Sequence, residues 1–241
     1  MLLRTTAIAL VMASAVPAAA QSISGFTGSA GILANDNEEL TTLQGSGEFK
    51  ITPQFAVGGS LGLYSGDDLD DITNITARGL YFLAPETAIG VFVALDDLDG
   101  AESELVGAEF GYGGPFGNFE AYFGTVESDG LPSGAEETIG GLSLEFNVGT
   151  NLFVSLATDA YDVDNDTAGS RISSTSIGAR YAFGDGPSVY ARYGQTTAEV
   201  TIASVTNDDT EEFISVGAQF DFGPTSGAIM SNRSQGAAFG F

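Results

Sequence analysis

The sequence predicts an all-β fold, an up-and-down antiparallel transmembrane β-barrel of about twelve strands, with a range of about 10–14. Three observations predict it. From residue 22 to residue 222, short segments alternate apolar with small or polar residues, the period-2 pattern of half-buried strands. The breaks between segments take turns: a longer acidic one, such as 65–71, is followed by a tight one, such as Thr52-Pro53-Gln54 or Ala84-Pro85-Glu86. Finally, 25 of the 32 acidic residues fall in the six longer breaks, so acidity is gathered at one end of the sheet. A soluble β-sandwich has little reason to sort charge in this way.

Residues 1–20 read as a secretory signal peptide. Arg4 supplies the positive start, Ala7 to Ala15 the short apolar core, and Ala18, Ala19 and Ala20 the small residues of a cleavage site. Pro17 follows an apolar stretch too short for a lone spanning helix. After Gln21 no run approaches the ~20 apolar residues of a helical span. Membrane insertion therefore requires a closed barrel, which alone among sheets satisfies every backbone group in lipid.

The barrel is expected over 21–222. A first strand at about 23–33 is followed by 43–52, where Leu43, Phe49 and Ile51 lie on one face and Gln44, Ser46, Glu48 and Lys50 on the other. After the Pro53 turn, Phe55, Val57, Leu61 and Leu63 share a face, and Ile75, Ala77, Tyr81 and Leu83 do so in the next strand. Ile89, Val91, Val93 and Leu95 continue the pattern, although Phe92 breaks the polarity of the opposite face. Later strands centre on 105–112, 119–126, 139–146, 152–158, 174–183, 188–196 and 213–222. Tight turns are expected at 52–54, 84–86, 113–118, 147–151 and 184–187, rich in Pro, Gly and Asn. Longer loops are expected near 34–40, 65–72, 96–104, 127–137, 159–171 and 197–212. Aromatics such as Phe55, Tyr81, Phe110, Phe119, Tyr181 and Phe220 crowd the short-turn end, as in an interfacial girdle.

Composition excludes several functions. The chain has no Cys and no His, and a formal net charge of −25. A disulfide framework is impossible, and nothing forms a basic footprint for nucleic acid. A Ser–His arrangement is equally impossible. The nearest Ser–Lys pair, Ser46 and Lys50, lies four residues apart on a strand, too far at ~3.3 Å per residue. The protein is therefore expected not to be an enzyme, and no cofactor is implied.

The terminus carries a resemblance. Ser234, Gly236, Phe239 and Phe241 match the C-terminal signal by which outer-membrane barrels are handed to the barrel-assembly machinery; Ser215, Gly217, Phe220 and Phe222 match it too. The upstream copy has the better strand, whereas 223–241 is a Gly/Ser-rich stretch too short for two further spanning strands of ~9–11 residues. Residues 223–241 are expected to form a C-terminal extension ending in Phe241, either a final short strand or a segment directed into the lumen. Over the whole mature chain the pattern resembles the Gram-negative porin superfamily. The resemblance implies an outer-membrane location, lipid and lipopolysaccharide as surroundings, and passive diffusion of small hydrophilic solutes. It leaves a homo-oligomer open. The other reading is a closed-lumen barrel with a structural or surface-interaction role and no transport.

Charged residues of the polar register mark the candidate lumen. Glu48, Lys50, Arg78, Glu109, Glu120, Glu145, Arg180, Arg192 and Asp221 all fall opposite the apolar stripe, whereas Arg171 and Arg233 fall outside the expected strands. A charge facing mid-bilayer lipid costs ~2–4 kcal/mol, which explains the sorting. These ions either line a pore with opposed charges or pair across a filled interior. Acidic loops at one mouth imply a mild cation preference. Asp162, Asp164 and Asp166 have the spacing that opens a calcium loop, but Thr167 and Ser173 stand where the turn Gly and the acidic twelfth ligand belong. A solvated acidic loop, with divalent cations bridging to lipopolysaccharide as a lesser alternative, is the expectation there.

Overall fold

The computed structural model describes residues 26–36, 40–66, 72–98, 101–128, 135–165, 168–184, 186–202, 205–223, 230–231 and 233–234. The signal stretch, the tips of several loops and Asp166 lie outside them. Twelve strands follow in order: β1 (Phe26–Asn35), β2 (Thr41–Lys50), β3 (Phe55–Ser65), β4 (Ile72–Ala84), β5 (Thr87–Leu98), β6 (Ala101–Gly114), β7 (Gly117–Ser128), β8 (Glu136–Asn147), β9 (Leu152–Asn165), β10 (Ala168–Ala182), β11 (Pro187–Ile202) and β12 (Val205–Phe222). Each pairs antiparallel with its neighbours in sequence, and β1 pairs with β12 to close the barrel. Closure removes every sheet edge.

Local chemistry sets the tight turns. At the β2–β3 reversal, Thr52 Oγ1 accepts the N–H groups of Gln54 at 3.2 Å and Phe55 at 3.0 Å, satisfying donors that Pro53 leaves outside the ladder. At the start of β7, Gly117 takes a φ of 146°, and a Cβ there would lie 1.9 Å from the carbonyl oxygen of Glu145. Only glycine fits.

The alternation becomes an outside and an inside. Val91 is 66% exposed while the next residue, Phe92, is 1% exposed. Ile75, Leu95, Ile214 and Val216 are exposed like Val91, which gives a continuous apolar belt. In water such a belt would drive association; in hydrocarbon it carries no penalty. Below it the aromatic girdle forms real pairs: Phe55 with Tyr81 at 5.0 Å, Phe110 with Phe119 at 5.7 Å and Tyr181 with Phe183 at 5.1 Å between ring centroids.

Phe92 does not disturb this plan. Its ring lies across Gly107 of β6, where a Cβ would meet it at 2.5 Å. It packs with Ala94, Leu105, Val126 and Ile139, so the inside of β5–β8 has an apolar core of its own. Full burial of such a side chain contributes about 1.5–3 kcal/mol.

The acidic end departs from expectation. Much of the loops expected at 96–104, 159–171 and 197–212 is strand, because β5–β6, β9–β10 and β11–β12 keep pairing to Leu98/Ala101, Asn165/Ala168 and Ile202/Val205. In the added length of β11–β12, threonine pairs line the ladder, Thr197–Thr210 at 3.1 Å and Thr201–Thr206 at 2.9 Å, and Thr158–Thr175 at 3.1 Å stands just before the added length of β9–β10. β-branched hydroxyl pairs stabilise paired strands with or without lipid around them. β12 thus reaches 18 residues, well beyond the ~9–11 that cross a bilayer. Arg171 accordingly belongs to β10 and lies 3.7 Å from Asp162 of β9. Asp162 and Asp164 sit in extended strand, so the wrapped loop of a calcium hand does not form over 162–165. Asp96, Glu137 and Asp159, counted with the outer acidic stretches, are strand residues facing the interior.

Candidate functional site

The barrel interior has two unlike walls. The wall built by β2–β7 is covered by the chain's own end: Met230, Ser231, Arg233 and Ser234 lie inside the barrel and belong to no strand. Met230 packs among Ala56, Leu80, Phe82 and Ala88, near the short-turn end where β12 finishes. Farther in, Ser231 meets Arg78 and Glu120, Arg233 meets Glu109, and Ser234 reaches Asp96. The segment therefore climbs from the short-turn end toward the acidic end.

Five of the nine charged residues expected in the interior lie on the covered wall or at its foot. Glu48, 3% exposed, accepts the Met230 N–H at 3.2 Å. Arg78 donates to the Ser231 carbonyl at 2.8 Å and to Ser60 Oγ at 3.3 Å. Glu109 accepts from Arg233 Nε at 2.9 Å. Glu120 accepts from both the N–H and the Oγ of Ser231 at 3.0 Å, and from Arg233 Nη2 at 3.3 Å. Lys50 places its ammonium 4.4 Å from the centre of the Phe82 ring. Glu145 of β8, at the short-turn end, forms a two-bond pair with Arg180, at 2.6 and 2.9 Å, and the guanidinium also stacks 4.1 Å from Phe153.

The wall built by β9–β12 is different. Arg192 and Asp221 face in from it, Asp221 accepting from Gln219 at 2.5 Å. Arg192 has no ion pair or hydrogen bond among the described residues, and its Nε is buried without a partner. Its neighbours in the same row across the strands are Gly178, Ser155 and Ser215. A Cβ at Gly178 would meet Arg192 Cγ at 2.9 Å, so the arginine stem lies flat on the wall. Two rings are laid flat in the same way: Phe213 over Gly194 and Tyr190 over Gly217, each 2.5 Å from the missing Cβ. Glycine hollows thus keep bulky side chains out of the space opposite the terminal segment. Ser231, on the side of the segment away from its buried neighbours, is exposed.

Four residues central to the interior were not singled out by sequence reasoning: Arg233, Asp96, Tyr122 and Asp159. Tyr122 donates to Asp159 at 2.8 Å and lies beneath the Arg233 guanidinium, 4.4 Å from its ring centre. Asn74 donates to Asp96 and, at 2.7 Å, to the Arg233 carbonyl. Asp96 and Asp159 share the inward parity of their strands, a signal available once the strands are extended. Burial works against the charge of Arg233, but Glu120 and Glu109 more than offset it and raise its pKa.

No protein-family model matches this sequence, and no curated protein sequence does. Solved structures match the fold. The structure titled NanC porin aligns with a TM-score of 0.58 at 7% identity, over 80% of this chain and 98% of that one. The KdgM porin in complex with disordered oligogalacturonate aligns with a TM-score of 0.54 at 8% identity, over 82% and 99%. The fold is similar to that of these two porins, a closed antiparallel barrel. Porin-like closure is shared with these structures, while side chains inside the barrel are this chain's own.

Proposed function

We propose that the protein is an outer-membrane channel for passive diffusion of small hydrophilic solutes, with a mild preference for cations. The observation that carries this reading is the two-sided interior. The segment covers β2–β7, and beside it runs a strip of serines, threonines and half-buried Arg192 on β9–β12, with rings folded flat against the wall. Inward carboxylates outnumber inward cations once Asp96, Glu137 and Asp159 join the count, and fixed negative charge concentrates cations. In this reading residues 1–20 direct export and are removed, lipid and lipopolysaccharide surround the belt, and the protein catalyses nothing.

The seated terminal segment favours a second reading, a closed structural barrel. Planar-bilayer recording separates the two. The channel reading expects discrete conductance steps in molar KCl and a reversal potential displaced toward the potassium value in a salt gradient. A purified, folded protein that gives no steps sinks it.

A further inference from the structure

The geometry points to the inner wall of β2–β7 as a binding site for an arginine-bearing peptide strand, filled in cis by the chain's own Met230, Ser231, Arg233 and Ser234, whose release widens the pathway. This rests on the channel reading above.

The barrel closes without the segment, through β1 and β12, and the described contacts run to side chains of the wall. Those side chains read a peptide backbone. Glu48 and Glu120 accept the N–H groups of Met230 and Ser231, while Arg78 and Asn74 donate to the carbonyls of Ser231 and Arg233. Two side chains give the register. Met230 fills the apolar pocket at the foot of the wall, and Arg233 is held by Glu109, Glu120 and the Tyr122 face.

Glu109 makes the seat reversible. Its Oε2 is bonded by Arg233, and its Oε1 faces Arg78 Nε at 3.8 Å with no hydrogen bond on either atom. When Arg233 leaves, Arg78 can close on the same carboxylate, and lumen water can solvate Glu120 and Glu48. An uncompensated buried charge, the usual reason such a pair cannot open, is thereby avoided. Met230 sits near the short-turn end, where β12 also finishes.

The test is single-channel recording of the full chain carrying Arg233→Ala, with Arg233→Lys as the conservative variant. Removing the guanidinium is expected to raise the main conductance about twofold, since the covered half of the lumen opens, and Lys is expected to restore part of the block. A synthetic peptide of residues 227–238, added on the short-turn side of the Arg233→Ala channel, is expected to restore the smaller conductance; the same peptide with Ala at 233 is not. The chain has no Cys, so Ser234→Cys gives one reporter thiol. Its labelling by a charged methanethiosulfonate is expected to be slow alone and fast with Arg233→Ala. Unchanged conductance and labelling in a conducting Arg233→Ala protein overturn the plug and leave the channel reading standing. Absence of steps from parent and variant alike overturns both.

Discussion

Arg78 Nε and Glu109 Oε1 face each other at 3.8 Å inside the barrel, and neither atom has a hydrogen bond. The gap exists because Arg233 takes the other oxygen of the same carboxylate at 2.9 Å. Among the described residues, Glu109 is thus the carboxylate within 4 Å of two arginines, with both guanidiniums nearly excluded from solvent. Glu109→Gln leaves two buried cations short of a counter-charge. Breaking a buried pair costs about 3–5 kcal/mol, and lumen water should hold the loss near the lower figure. The expected result is a clear fall in the urea midpoint of the folded barrel in detergent. A midpoint equal to the parent's would show that water already neutralises this cluster.

Arg192, on the uncovered wall, makes no salt bridge within 4 Å among the described residues, and the carboxylate whose charge it feels is Asp159. Two unit charges about 4 Å apart in water interact by ~1 kcal/mol. Arg192→Ala should therefore raise the potassium-to-chloride permeability ratio by up to about fivefold, with little change in stability. Arg180→Ala, by contrast, breaks a two-bond pair with Glu145 and should lower stability as well. Reversal potentials together with urea midpoints distinguish the two; identical behaviour would remove the distinction between the walls.

Gly194→Ala places a methyl group 2.5 Å from the Phe213 ring and 2.7 Å from the Thr175 carbonyl oxygen, so the β10–β11 ladder must give slightly and the ring must swing off the wall. The space it enters is the proposed pathway. Conductance should fall while the barrel still forms, as judged by heat-modifiable electrophoretic mobility. A folded variant with parental conductance would place the ion path elsewhere.

Val91→Arg tests the belt. The position is exposed on the outer face near the middle of β5, and a lipid-facing arginine there should destabilise by ~2–4 kcal/mol. Phospholipid vesicles are the measure: reduced folding yield for Val91→Arg, against near-parental yield for an outward Thr206→Arg beyond the bilayer.

The sequence by itself determined the strand order and the closed antiparallel plan. Those follow from a period of two, which any short stretch displays: Glu48 and Lys50 fall opposite Leu43 and Phe49 whatever the rest of the chain does. Strand ends were less legible. Asp159 and Arg171 looked like loop because charge suggests solvent, yet backbone pairing between β9 and β10 continues to Asn165 and Ala168. Pairing was not legible at all. Which arginine meets Glu109 depends on barrel radius, on register around twelve strands and on where the chain goes after Phe222. Parity is a local property of the backbone. Contacts across a lumen exist only after closure, and only the tertiary structure could bring Arg233 to a carboxylate 124 residues away.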